Sequence, residues 1–242
     1  MPNLLLSVLK YALLPVAATV TGAAVAAFKP PGPLLRSYIQ HFAAGVVFSV
    51  VAVELLPDVM RGHAPVQVVI GFALGVAAML GVRSLTERAE QKTGPAGSKG
   101  PLAMLAAVGV DVLVDGFLIG IGFAAGAKEG KLLTLALTVE LLSLGLAVCS
   151  TLGKAGATRT RAIITPSLLA LLIVVGAVVG ATVLSAVSEK MLEVVLSFGL
   201  AALLFLVTEE LLVEAHEEPE TPLATATFFA GFLLFLVLGM QA

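Results

Sequence analysis

Eight runs of about 20 predominantly apolar residues, parted by short polar breaks, leave this chain few folds to choose from. A run of that length suits the hydrocarbon core of a bilayer. There every backbone N–H and C=O must be satisfied internally, so only helices and closed barrels can cross. Period-2 alternation of apolar and polar residues is absent, which argues against a barrel. Charged residues make up 12% of the chain, about half the roughly 25% of soluble domains. The expected fold is an all-α integral membrane protein, a single polytopic domain over residues 1–242. Its spans fall at 4–27, 34–58, 65–83, 102–126, 131–151, 163–187, 189–214 and 221–240. The first run lacks a positive leader segment and outlasts a signal peptide's apolar core, so it reads as a retained span.

The connectors carry turn chemistry: Lys29-Pro-Pro-Gly-Pro33, Gly62-His-Ala-Pro65 and Glu217-Glu-Pro-Glu-Thr-Pro222. The longest polar stretch predicts a cytoplasmic loop over residues 84–101. Lysine and arginine are biased toward one side. Lys29, Arg36, Arg83, Arg88, Lys92, Lys99, Lys154, Arg159 and Arg161 follow spans one, three and five. Lys10, Arg61, Lys128, Lys131 and Lys190 belong to the opposite side. This bias predicts that both termini lie outside.

An internal repeat joins the second and seventh spans. FAAGVVFSVVAVELLPD, from Phe42 to Asp58, returns 156 residues later as FGLAALLFLVTEELLVE, from Phe198 to Glu214. Phe42 matches Phe198, Val51 matches Val207, Glu54 matches Glu210 and Asp58 matches Glu214. The seventh span lies five steps along from the second, an odd number, so the copies run in opposite directions. Inverted-topology repeats characterise carriers that work by alternating access. The expected arrangement is 3+2+3: spans one to three and six to eight form one inverted-repeat body, and spans four and five carry the site.

Charged side chains inside the apolar runs mark that site. Asp111 and Asp115 are four residues apart in the fourth span, which stacks them on one helix face. A charge at the bilayer centre costs about 2.5–3.5 kcal/mol on insertion scales, so intramembrane acids default to function. Like charges this close oppose joint ionisation unless a cation or a shared proton intervenes. Glu140, in the middle of the fifth span, is a third carboxylate. A short hairpin around Gly126–Gly130 makes the two spans antiparallel neighbours, so the three can meet across one polar seam. Glu54 and Asp58 end the second span, and Glu209, Glu210 and Glu214, followed by His216, end the seventh. With the central three they form a ladder of ligands from one face to the other. His41 reads as an interfacial side chain.

Other chemistry is excluded by what the chain lacks. Cys149 is the only cysteine, so no disulfide or thiolate cluster forms within one chain. No phosphate-binding loop occurs, Gly120-Ile-Gly122 sits in a membrane helix rather than a strand-to-helix turn, and no nucleophile has a histidine partner. An enzyme is not expected. No basic patch or aromatic platform accompanies the net charge of −2, so nucleic acid is not an expected partner.

The order and spacing of these acids resemble the ZIP (Zrt-, Irt-like) family of divalent metal transporters. The family's fourth-span pattern, His-Asn-x-x-Asp-Gly, falls on Asp111-Val112-Leu-Val-Asp115-Gly116. Its fifth-span pattern, His-Glu-x-Pro-x-Gly, falls on Glu140-Leu141-Leu142-Ser143-Leu144-Gly145. The ends of the second and seventh spans also resemble the family's. The chain departs where family histidines become Asp111 and Glu140, and where second-site ligands become Val112, Leu141 and Leu144. The stretch from Arg83 to Gly100 has no histidine, whereas the family's loop is often rich in it.

The resemblance implies a divergent prokaryotic member in the bacterial inner membrane, moving a divalent cation without ATP. It implies one central metal site, Asp111, Asp115 and Glu140, with Glu54, Asp58, Glu209, Glu210, Glu214 and His216 as peripheral ligands. No resident cofactor is expected; the metal is cargo. Zinc comes first by family, with manganese and iron(II) close behind because hard oxygen ligands suit them. The bilayer and the metal are the expected partners, and a homodimer is compatible with the family. Two rival expectations keep the fold: a transport-inactive metal- or proton-binding sensor or scaffold, and a cation-coupled carrier of a small organic solute.

Overall fold

In the computed structural model, which describes residues 2–92, 101–184, 188–219 and 221–241, the chain is a helical bundle. Among the described residues, eight helices are long and apolar enough to cross a membrane. They are α1 (Pro2–Phe28), α2 (Pro33–Arg61), α3 (Pro65–Lys92), α4 (Pro101–Ala125), α5 (Ala127–Lys154), α6 (Arg159–Val183), α7 (Lys190–Ala215) and α8 (Pro222–Gln241). The chain is thus an all-α multi-pass membrane protein. Burial divides the helices into an inner and an outer set. In its most apolar stretch α5 is 67% buried, against 17% for α3, so α3 belongs to the lipid-facing rim and α5 to the centre.

Two connectors differ from expectation. Helix α3 runs on to Lys92, beyond the start of the loop expected at 84. Once a helix leaves the bilayer, polar side chains no longer oppose it, so the hydropathy edge does not mark its end. Residues 93–100 of that loop lie outside the described residues. Between α4 and α5 the expected loop shrinks to Gly126, because α5 already begins at Ala127. Lys128 and Lys131 therefore belong to the first turns of a helix.

Helices α1, α4, α5 and α6 pack extensively on one another, α1 on α5 and α4 on α6 above all. Helices α2 and α8, and α3 and α7, make the other close pairs. This corrects the expected body of spans one to three with six to eight. The outer members α1 and α6 go with the site-bearing α4 and α5, leaving α2, α3, α7 and α8 as a second unit. Apolar residues do not distinguish neighbour from lipid, so close backbone approach at small residues decides which helices associate.

Those approaches repeat across the molecule. Gly231 of α8 abuts the Phe42 carbonyl of α2, and Gly75 of α3 abuts the Phe198 carbonyl of α7. Both residues of the second contact map onto the first by the same 156 (198 − 42 and 231 − 75). In the other unit, Gly22 of α1 abuts the Leu142 carbonyl of α5, and Gly176 of α6 abuts that of Leu113 of α4. Gly145 of α5 abuts the Thr19 carbonyl of α1, and Gly116 of α4 abuts that of Ile173 of α6. Here α1 maps onto α6 by 154 (173 − 19 and 176 − 22), and α4 onto α5 by 29 (142 − 113 and 145 − 116). The contacts therefore obey a pseudo-twofold relation that exchanges α1 with α6, α2 with α7, α3 with α8 and α4 with α5. Ion pairing and hydrogen bonding of Arg36 with Glu217 and of Ser37 with Ala215 bring the start of α2 to the end of α7, so the copies are antiparallel.

The repeat extends to backbone irregularity. Helix α2 widens into a π-helical turn over Val51–Leu55, and α7 does so over Leu206–Leu211. The Leu56 N–H donates to the Val51 carbonyl, and the Leu212 N–H to the Val207 carbonyl, the same i→i−5 bond 156 residues apart. Pro57 follows the first turn, but Val213 holds the equivalent place in the second, so proline is not the common cause. Such turns frequently accompany functional sites.

Candidate metal site

The three central acids converge. Asp111 and Asp115 stand one turn apart on α4, and the single-residue link at Gly126 brings α5 back antiparallel, delivering Glu140. One oxygen from each lies within 4.8 Å of the others. Asp115 is 1% exposed and Glu140 3%. Asp115 Oδ2 and Glu140 Oε2 are buried without a hydrogen-bond partner. Buried carboxylate oxygens are costly when unsatisfied, so they call for a cation or proton.

A fourth carboxylate comes from the other unit. Glu210, on the π-helical turn of α7, lines the same small cavity as Asp111. Glu214, one turn later, accepts a hydrogen bond from Gln40 Nε2 of α2. Asp111, Glu140, Ser143, Leu144, Leu206, Glu210, Leu211 and Glu214 line a cavity of about 30 Å³. That is room for one water or one ion. Beside it a cleft of about 300 Å³, whose walls include Arg83, Asp111, Glu209, Glu210 and Glu214, opens toward the end of α3 and the start of α4.

The peripheral residues separate into distinct groups. Glu210 belongs to the centre rather than to the periphery expected of it. Glu209, its neighbour, is exposed and ion-paired to Arg83 at 2.8 Å, on the wall of the outer cleft. Consecutive residues on a helix point about 100° apart, so only one of the pair can face the site. Glu54 and Asp58 lie at the opposite end. Glu54 is buried against Lys128, 3.5 Å away, and Asp58 is held by Arg61 at 2.6 Å. Neither lines the central cavity.

His216 is exposed, and its Nδ1 lies 2.5 Å from the Leu212 carbonyl. His41 is buried, with Nδ1 2.9 Å from the Ser37 carbonyl, and the two imidazoles meet edge to face at 5.2 Å. Gln40 escaped the sequence reading altogether. It is 1% exposed and its Oε1 has no partner. The available signal was an amide beside Ser37 and His41 near the start of a membrane span.

The positions matching the family's second metal site hold packing residues. Val112 and Leu141 are buried in the main apolar core, and Leu144 packs against it. Under the pseudo-twofold relation Asp111 and Glu140 are equivalents (140 − 111 = 29), whereas Asp115 is matched by Leu144. Neither a protein-family model nor a curated protein sequence matches the chain. The functional reading therefore rests on the site's own geometry.

Proposed function

We propose that this protein is a secondary carrier that moves a divalent metal cation across the membrane through a single carboxylate site. The observation that carries this reading is the pair of buried, partnerless oxygens on Asp115 and Glu140, inside a triad whose oxygens lie within 4.8 Å. A binding pocket of carboxylate oxygens with space for one ion suits a hard or borderline divalent cation. Its position supports transport rather than mere storage. Asp111, Asp115 and Glu140 ride on the α1/α4/α5/α6 unit, while Glu210 and Glu214 belong to the α2/α3/α7/α8 unit. Displacement of one unit against the other changes which end the site faces, as inverted repeats allow.

The ZIP resemblance agrees with this reading through the order of its acids along the chain. It favours zinc, whereas an all-oxygen ligand set favours manganese or iron(II). Three full carboxylates overcompensate a divalent charge, leaving capacity for a proton. The excess of lysine and arginine toward the cleft side makes that side cytoplasmic, with both termini outside a bacterial inner membrane. Uptake of Zn, Mn(II) and Fe(II) into proteoliposomes tests the proposal. The parent protein is expected to exceed empty liposomes for at least one metal. Asp115→Ala transporting as well as the parent would remove the central site from the account.

A further inference from the structure

We propose that Glu54 and Glu210 complete the same cation site in turn: Glu210, against Asp111, when the site faces the Arg83 end, and Glu54, against Glu140, when it faces the Arg61 end. The inference rests on the carrier reading above and names the residues that exchange.

Three relations on different helices agree. Glu210 follows Glu54 by 156, the offset of the paired π-helical turns and of the Gly75–Phe198 and Gly231–Phe42 contacts. Glu140 follows Asp111 by 29, the offset of the glycine contacts that α4 and α5 make to α6 and α1. Surroundings match as well: Gly239, the equivalent of Arg83 (239 − 83 = 156), abuts the Glu54 carboxylate, while Arg83 lies beside Glu209 at the Glu210 turn. The contact Glu210–Asp111 therefore has a symmetry mate, Glu54–Glu140.

That mate is not made in the present conformation. Glu54 instead rests on Lys128, and Glu140 keeps a buried oxygen without a partner. The cleft opens at the Glu210 end, whereas Val51 and Leu55, on the π-helical turn that carries Glu54, belong to the buried apolar core. Lys128 sits on α5 and Glu54 on α2, so their ion pair bridges the two units, as does Glu210–Asp111 across α7 and α4. One displacement of the units breaks both contacts together. It frees Glu54 from Lys128 as Asp111 leaves Glu210, and the symmetric pairing follows.

Mn(II) flux measured in membrane vesicles of both orientations tests this. Glu54→Gln is expected to raise KM by about tenfold or more for metal presented at the Arg61 end, the scale of loss seen when a metal site's supporting groups are removed. KM from the Arg83 end should move far less. Glu210→Gln should give the mirror result. Lys128→Gln, which removes the competing partner of Glu54, should lower KM at the Arg61 end alone, and it carries the test if Glu54→Gln does not fold. Equal KM changes from both ends, or no change from either, with parent flux intact, would overturn the exchange and leave the carrier reading standing. Parent flux no greater than that of empty vesicles for Mn(II), Zn and Fe(II) alike would overturn both.

Discussion

The ends of α2 and α7 hold the same sequence signature on the same backbone and do different things. Each has a π-helical turn closed by an i→i−5 bond, and each presents an acid there, Glu54 or Glu210. At the α7 end the acid meets the carboxylate cluster and a water-sized cavity; at the α2 end it is buried against a lysine from another helix. Local structure is thus fixed by the repeat, and the difference lies in tertiary contacts between two four-helix units. On the carrier reading proposed above, that difference marks one end of the motion between the two units.

The largest expected effect comes from breaking what the two ends share. Asp115→Ala should bring metal flux to background from either end, because both approaches converge on one buried triad. Flux surviving from one end only would show that the ends do not share a site. Next come the paired close approaches. Gly75→Leu and Gly231→Leu each drive a side chain into a backbone carbonyl of the facing helix, and each should cost about 1–3 kcal/mol or more. Thermal unfolding in detergent should register similar losses for both. A large loss for one and none for the other would sever α3 and α8 from the symmetry.

The second-turn acids should matter less. Asp58→Asn and Glu214→Gln remove charge along the approach, and each should lower uptake at its own end by roughly threefold at low metal and low salt, where local fields concentrate ions. Initial rates over a range of ionic strength check this, since the effect should fade as salt rises. Smallest of all is Glu209→Gln. Its ion pair with Arg83 is exposed, so stability should change by less than about 1 kcal/mol, and flux should stay near the parent's.

Much of this architecture could be read from the sequence because the signals are local. Hydropathy over 20-residue windows finds eight helices, and the i, i+4 spacing of Asp111 and Asp115 with a hairpin to Glu140 finds the triad. The offset of 156 finds the repeat. What escaped depends on which faces meet. The grouping of α1 and α6 with α4 and α5 rests on glycine-to-carbonyl approaches, and in apolar helices any face is compatible with lipid. Choosing Glu210 over Glu209 depends on a π-helical turn, which shifts the facing of everything after it by one residue. Gln40 needed Glu214 in space, 174 residues away along the chain. The polar end of α3 hid its helicity from hydropathy altogether.

The central claim is that Asp111, Asp115 and Glu140 hold a divalent cation. Anomalous scattering from crystals soaked separately in Zn, Mn(II) and Fe(II), collected at each metal's absorption edge, tests it most directly. The account predicts a single intramembrane peak bonded to these carboxylates, at about 2.0–2.2 Å from their oxygens if the ion is zinc. Soaked crystals with no peak at the triad, or with their only intramembrane peak elsewhere, would contradict it.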